Sequence, residues 1–172
     1  MESKPLTLKL LDHFQVTPSS SNTVVALPED RQWMRLFDNQ NVEMVEWDLQ
    51  QTWPLPALPS PRTNAALIYL GQTVVVVGGF HHGKLQPPLV WNMGEADCWV
   101  QNDKANWKPR MLATAVSVQT PDGPVGFLLG GRTSPLPGTE VGYAELIQWD
   151  GSELQCTRIG ATKNCLEVMP PP

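Results

Sequence analysis

The apolar residues of this chain fall in short runs separated by turn-forming residues, and one pair of runs is written twice. "AALIYLGQTVVVVGGF" occupies residues 65–80, and "ATAVSVQTPDGPVGFLLGGRT" occupies 113–133. Each is preceded by Pro-Arg and two further residues, and each consists of an apolar run, a turn, a second apolar run and Gly-Gly. The turns are Leu-Gly-Gln and Thr-Pro-Asp-Gly-Pro; the Asp122–Gly123 step tolerates positive φ at a hairpin tip. The pattern predicts antiparallel hairpins over residues 64–80 and 112–132, in adjacent and similarly oriented sheets. Their runs are nearly continuous in apolar character, as in strands covered on both faces.

A polar connection and a third candidate strand follow each Gly-Gly: "DCWVQN" (97–102) and "AELIQWDG" (144–151). A fourth short segment then leads to proline, "NWKPR" (106–110) in one case and "CLEVMPPP" (165–172) in the other. From Pro61 to Pro109 is 48 residues and from Gly78 to Gly130 is 52. Four short strands in a unit of about fifty residues is the sequence pattern of a propeller blade. The fold class read from the chain is mainly β: about two blades, at 61–108 and 109–172, preceded by a small α/β segment.

That preceding segment has a different rhythm. In "LPEDRQWMRLFDNQ" (27–40), Trp33, Leu36 and Phe37 stand at i, i+3 and i+4 behind Pro28 and two acids, which predicts a helix with a proline and acidic charge in its first turn. "NVEMVEWDLQQTW" (41–53) reads as a strand passing into a short polar helix. "PLPALPSP" (54–61) then reads as a proline-stiffened linker, which divides the chain into units at 1–56 and 57–172.

Composition narrows the chemistry. The 172 residues are 41% hydrophobic and 17% charged, with 17 prolines and 13 glycines, so many short elements and few long helices are expected. A net charge of −5 leaves no general positive field for a phosphate backbone. No apolar run approaches the roughly 20 residues of a membrane helix. The N-terminal "MESKPLTLKLLDHF" lacks the order of a secretory signal, which leads to the expectation of a cytoplasmic protein. Cys98, Cys156 and Cys165 include no CxxC pair and read as reduced thiols. His81 and His82 are neighbours on a loop without acids or cysteines at ligand spacing, and neither they nor His13 form part of a recognisable catalytic arrangement. The seven tryptophans could stack on bases, but in an acidic chain packing roles suit them better.

The Arg, the paired Gly and the later Trp resemble Kelch repeats, which build β-propellers. On that resemblance Arg62 and Arg110 are buried between blades and bonded to backbone carbonyls. Gly78, Gly79, Gly130 and Gly131 sit where blades approach too closely for Cβ atoms, and Trp107 belongs to the same structural motif. Residues 10–53 resemble the C-terminal part of leucine-carboxyl-methyltransferase-like enzymes, through "LLDHFQ" (10–15), Gln32, Arg35, Phe37, Val42–Val45, Asp48, Leu49 and Trp53. Such a domain followed by Kelch repeats is the architecture of the tRNA wybutosine-synthesising protein 4 family, whose propeller "GGRTSP" (130–135) also resembles. The resemblance implies an S-adenosylmethionine-dependent transferase acting on tRNA. The glycine-rich cofactor turn of such an enzyme is not found before residue 60, so no catalytic, cofactor-binding or metal residue is assigned and the chain alone is expected to be inactive. Two rivals stand beside this reading. One is a non-catalytic Kelch scaffold for protein partners, expected if residues 28–53 form a four-stranded sheet. The other is a copper enzyme on Kelch blades, for which only Tyr69 and Tyr143 offer tyrosine ligands. Two blades alone would also leave open edges, so self-association is expected.

Overall fold

The computed structural model describes residues 23–27, 30–48, 51–95, 97–103 and 106–161. These residues form three antiparallel sheets and no helix. The first sheet contains β1 (Thr23–Leu27), β2 (Gln32–Phe37), β3 (Asn41–Glu46) and β4 (Thr52–Leu55) in the order β1-β2-β3-β4. The second contains β5 (Thr63–Leu70), β6 (Thr73–His81), β8 (Leu89–Asn92) and β9 (Val100–Gln101) in that order, with β7 (Lys84–Leu85) attached to β6. The third contains β10 (Thr114–Thr120), β11 (Gly123–Leu129), β12 (Tyr143–Trp149) and β13 (Leu154–Ala161), again in chain order.

The two hairpins read from the repeat are present. Ala65 to Leu70 pair with Gly78 to Thr73 across a two-residue loop whose first member, Gly71, has φ of 70°. A residue with a Cβ is strained in that conformation, and Gly71 meets it without cost. Thr114 to Thr120 pair with Leu129 to Gly123, and Gly123 takes φ of 118° at the tip.

The sheets stack face to face, with β5 against β1 on one side and against β10 and β11 on the other. The middle sheet accordingly divides its side chains by parity. Ala65, Leu67, Tyr69, Val74, Val76, Leu89 and Trp91 join Val25, Leu27, Met34, Leu36, Val42 and Met44 in one core. Ala66, Ile68, Leu70, Val75, Val77 and Val90 join Leu128, Ile147 and Leu154 in the other. This is why β5 and β6 read as unbroken apolar runs: alternate residues point to opposite faces, and here both faces are dry. Inner strands side by side, with sheets stacked in chain order, make the arrangement propeller-like.

Several expected elements are corrected. Residues 27–40 are not helical: Gln32–Phe37 is a strand in which Met34 and Leu36 are buried and Trp33 is exposed, a period of two. The helix-like spacing of Trp33, Leu36 and Phe37 is overridden by pairing with β1 on one side and β3 on the other, in register Val25↔Met34↔Met44. Likewise 41–53 is a strand, a turn at Trp47–Asp48 and the start of β4, with no helix among the described residues. Among the described residues the expected small α/β segment is therefore a four-stranded sheet over 23–55, and "LLDHFQ" (10–15) lies outside them. In the second sheet the third strand is Leu89–Asn92, and "DCWVQN" supplies the fourth through Val100–Gln101; "NWKPR" forms no strand. In the third sheet Leu154–Ala161 is the fourth strand, while "CLEVMPPP" lies outside the described residues.

Candidate functional site

The residues singled out in the sequence gather at the seams between sheets. Arg62 is buried, and its Nη1 donates to the carbonyl oxygens of Gly78 (3.1 Å) and Pro87 (2.7 Å). Its Nε has no hydrogen-bond partner, and burial lowers its pKa to about 10. Arg110 repeats the geometry one sheet later: Nη1 donates to Gly130 O at 3.1 Å and Nε to Lys108 O at 3.1 Å. Arg110 differs in having a carboxylate, since Nη2 forms a buried ion pair with Glu145. Tyr143 lies beneath Arg110 at 5.2 Å and also faces Arg158 at 4.1 Å. Through strand register, Glu145 opposite Leu128 corresponds to Leu89 opposite Val76 in the second sheet, which explains why Arg62 has carbonyl partners only.

Two adjacent residues of positive φ stand near the end of each second strand, inside β6 in the second sheet and just after β2 and β11 in the other two. The pairs are Asp38 and Asn39 (48° and 62°), Gly78 and Gly79 (68° and 90°), and Gly130 and Gly131 (59° and 90°). Asp and Asn tolerate this region better than other side chains because their short polar groups bond locally. In the first sheet these two residues stand in the short turn from β2 to β3, and no Gly-Gly marks the end of the strand.

The four glycines divide by role. A Cβ on Gly78 would stand 2.0 Å from the Arg110 carbonyl oxygen of the next sheet, and Gly79 N donates to that same oxygen at 3.0 Å. Gly78 is thus where two sheets touch through backbone. A Cβ on Gly79 would meet Arg62 Cβ and Ala65 Cβ at 3.1 Å, and one on Gly131 would meet Met111 O at 2.8 Å. At Gly130 the nearest atom is 3.8 Å away, so the expected close approach is not found there. Trp107 packs against the core between the second and third sheets, with a ring carbon 3.6 Å from the Cβ position of Gly78. Further seams are stitched by Arg62 N to Asn39 O (2.8 Å), Leu112 N to Asn64 O (3.1 Å), Tyr69 N to Ser117 Oγ (2.7 Å) and Trp99 Nε1 to Pro56 O (2.7 Å).

An open groove of about 420 Å³ lies between the outer strands of the second and third sheets, lined by Cys98, Val100, Asn102, Asp103 and Trp149 among others. The carboxamide oxygen of Asn102 is buried there without a hydrogen-bond partner. Cys156 has its thiol pushed up to about 12 by burial, reinforced by the charge of Glu145 and opposed by Arg110, so it is not a nucleophile at neutral pH. His81 and His82 sit at the β6–β7 tip with ring centroids 3.9 Å apart. Among the described residues no three His, Cys, Asp or Glu side chains gather to hold a metal ion, and no helix is long and apolar enough to cross a membrane. His13 and Cys165 lie outside the described residues. Tyr69 and Tyr143 lie in β5 and β12, in different sheets.

No family model and no curated protein matches the chain. Solved structures do match; one, titled "Structure of YjhT", aligns with a TM-score of 0.59 at 13% identity, over 83% of this chain and 52% of that one. At that identity the likeness speaks to the fold alone, and the chain spans about half the length of the structure that it matches.

Proposed function

We propose that this chain supplies three Kelch-type propeller blades, residues 23–55, 63–101 and 114–161, and acts as a non-catalytic binding scaffold. The observation that carries this reading is how the motif residues are employed. Arg62, Arg110 and Glu145 are buried and spend their polar groups on carbonyls or on one another, while Gly78 makes room for the neighbouring backbone. Residues of this kind fix the position of sheets and leave the connecting loops to carry recognition. A four-stranded sheet at residues 23–55, where the methyltransferase resemblance led to the expectation of helix and strand, favours the scaffold.

A second reading keeps the resemblance to the tRNA wybutosine-synthesising family, with the chain as its propeller region beside an S-adenosylmethionine-dependent transferase acting on tRNA. It is favoured by "GGRTSP": Arg132 pairs with Glu140 at 3.1 Å and bridges Met111 and Glu140, giving this segment a defined loop. One experiment separates the two. The purified chain is incubated with labelled S-adenosylmethionine and bulk tRNA, and transfer and binding are both measured. The scaffold reading expects neither. Methyl transfer by the chain would overturn it, and tRNA binding without transfer would favour the second reading.

A further inference from the structure

Strand pairing puts alternate residues of the first three strands of each sheet on one face, and in the third sheet one such face is conspicuous. On the face turned toward the following sheet the first sheet carries Val25, Leu27, Met34, Leu36 and Met44, the second carries Ile68, Leu70, Val75, Val77 and Val90, and the third carries Val116, Val118, Phe127, Leu129 and Leu146 on the face turned away from the second. In the first two sheets all five are buried beneath the sheet that follows. In the third sheet Val116, Val118 and Leu129 are 45%, 40% and 37% exposed, and Phe127 and Leu146 are half-buried. Gly130 belongs to the same surface. It shares positive φ with Gly78, but the space that Arg110 O fills beside Gly78 is open beside Gly130. The third sheet therefore turns outward an apolar face of the kind that in the first two sheets receives a further sheet.

The first sheet shows the complementary face. Val24 and Trp33 are 47% and 37% exposed there, with Trp47 stacked at 5.9 Å from Trp33. Trp33 and its cross-strand partner Val45 lie on the face opposite Met34 and Leu36, as Val74 and Trp91 lie on the face of the second sheet that meets the preceding one. The charges on this face, Arg35 and Glu43, are paired with each other, so covering them leaves no net charge stranded.

We propose that two copies of this chain associate reciprocally, the third-sheet face of each packing on the first-sheet face of the other, to close one ring. The proposal rests on the blade reading above. A second copy is favoured over other occupants because both exposed apolar faces belong to the same chain and are of complementary type. Two unlike faces meeting twice form a closed assembly with two-fold symmetry, which leaves neither face open.

The test is sedimentation equilibrium of the full chain, of Val116→Asp and of Trp33→Asp, with circular dichroism to show that each is folded. The wild-type chain is expected to be a dimer at micromolar concentration, and each variant a monomer. A one-to-one mixture of the variants is expected to regain dimers, because such a pair places both substitutions in one interface and leaves the other intact. Should Val116→Asp fail to fold, Val118→Lys tests the same face. A monomeric wild type, open-ended oligomers, dimeric variants or a mixture that stays monomeric would each overturn the proposal. These outcomes are independent of the methyl-transfer assay, so loss of the dimer with intact sheets would leave the scaffold reading standing.

Discussion

Substituting Glu145 by leucine isolates the buried ion pair that Glu145 forms with Arg110 at a sheet seam. The Arg110 and Glu145 side chains are 0% and 7% exposed, so the carboxylate is not replaced by water when it is removed. Removing one member of a buried pair costs about 3–5 kcal/mol because the other charge is left uncompensated. Arg62 shows what the variant would resemble: a buried arginine held by two carbonyls, with leucine at the corresponding strand position. Arg110 would keep its bonds to Lys108 O and Gly130 O, which places the cost near the lower end, about 3 kcal/mol. For a chain of this size 1 kcal/mol corresponds to about 2–4 °C in Tm, so the melting temperature should fall by about 6–12 °C. Urea titration should show a lower midpoint at unchanged slope. Glu140→Leu is the control, since it breaks the exposed pair with Arg132 and should cost no more than about 1 kcal/mol. Equal, small losses for the two variants would refute the assignment of Arg110 and Glu145 to a dry seam.

Three further outcomes follow from the geometry. Gly78→Ala forces a Cβ into the Arg110 carbonyl at positive φ and should cost well over the roughly 1–2 kcal/mol of the backbone strain alone, whereas Gly130→Ala, compared in denaturant titrations of the dissociated chain, should cost only that strain. Asp38→Gly should leave stability within about 0.5 kcal/mol, while Asp38→Val should lose about 1–2 kcal/mol, because φ is 48° there. At pH 8 an alkylating reagent should label exposed Cys98 and spare Cys156, whose raised pKa keeps the thiol protonated; peptide mapping reads each site, and modification of Cys156 at the rate of Cys98 in the folded chain would contradict its burial.

The second and third sheets were legible because their signals are local and redundant. Val74 to Val77 form a β-branched run that suits a strand dry on both faces, and Gly-Gly closes it. Arg62 and Arg110, expected between blades through the resemblance, are buried and donate to backbone carbonyls. Glu145 was missed because its partner is 35 residues away and nothing in "AELIQW" signals a buried acid. The first sheet was misread for a different reason. Its second strand ends in a short turn through Asp38 and Asn39 with no Gly-Gly to mark it, and Trp33, Leu36 and Phe37 happen to fit a helical period. Burial decides between the two periods, and it is set by β1, β3 and β5, whose contribution no short window of sequence contains. Leu89–Asn92 escaped notice because a strand of four residues behind two prolines carries little pattern of its own.

The claim on which everything else depends is that residues 23–55 form a sheet equivalent to the other two. Cross-strand nuclear Overhauser effects in the isotope-labelled chain test it directly. The register Val25↔Met34↔Met44, with Met44 opposite Trp53, predicts contacts across β1, β2, β3 and β4, together with contacts from Leu27 and Leu36 to Leu67 and Val76 in the shared core. A series of i to i+3 contacts through residues 30–40, with no contact between Met34 and Met44, would contradict it.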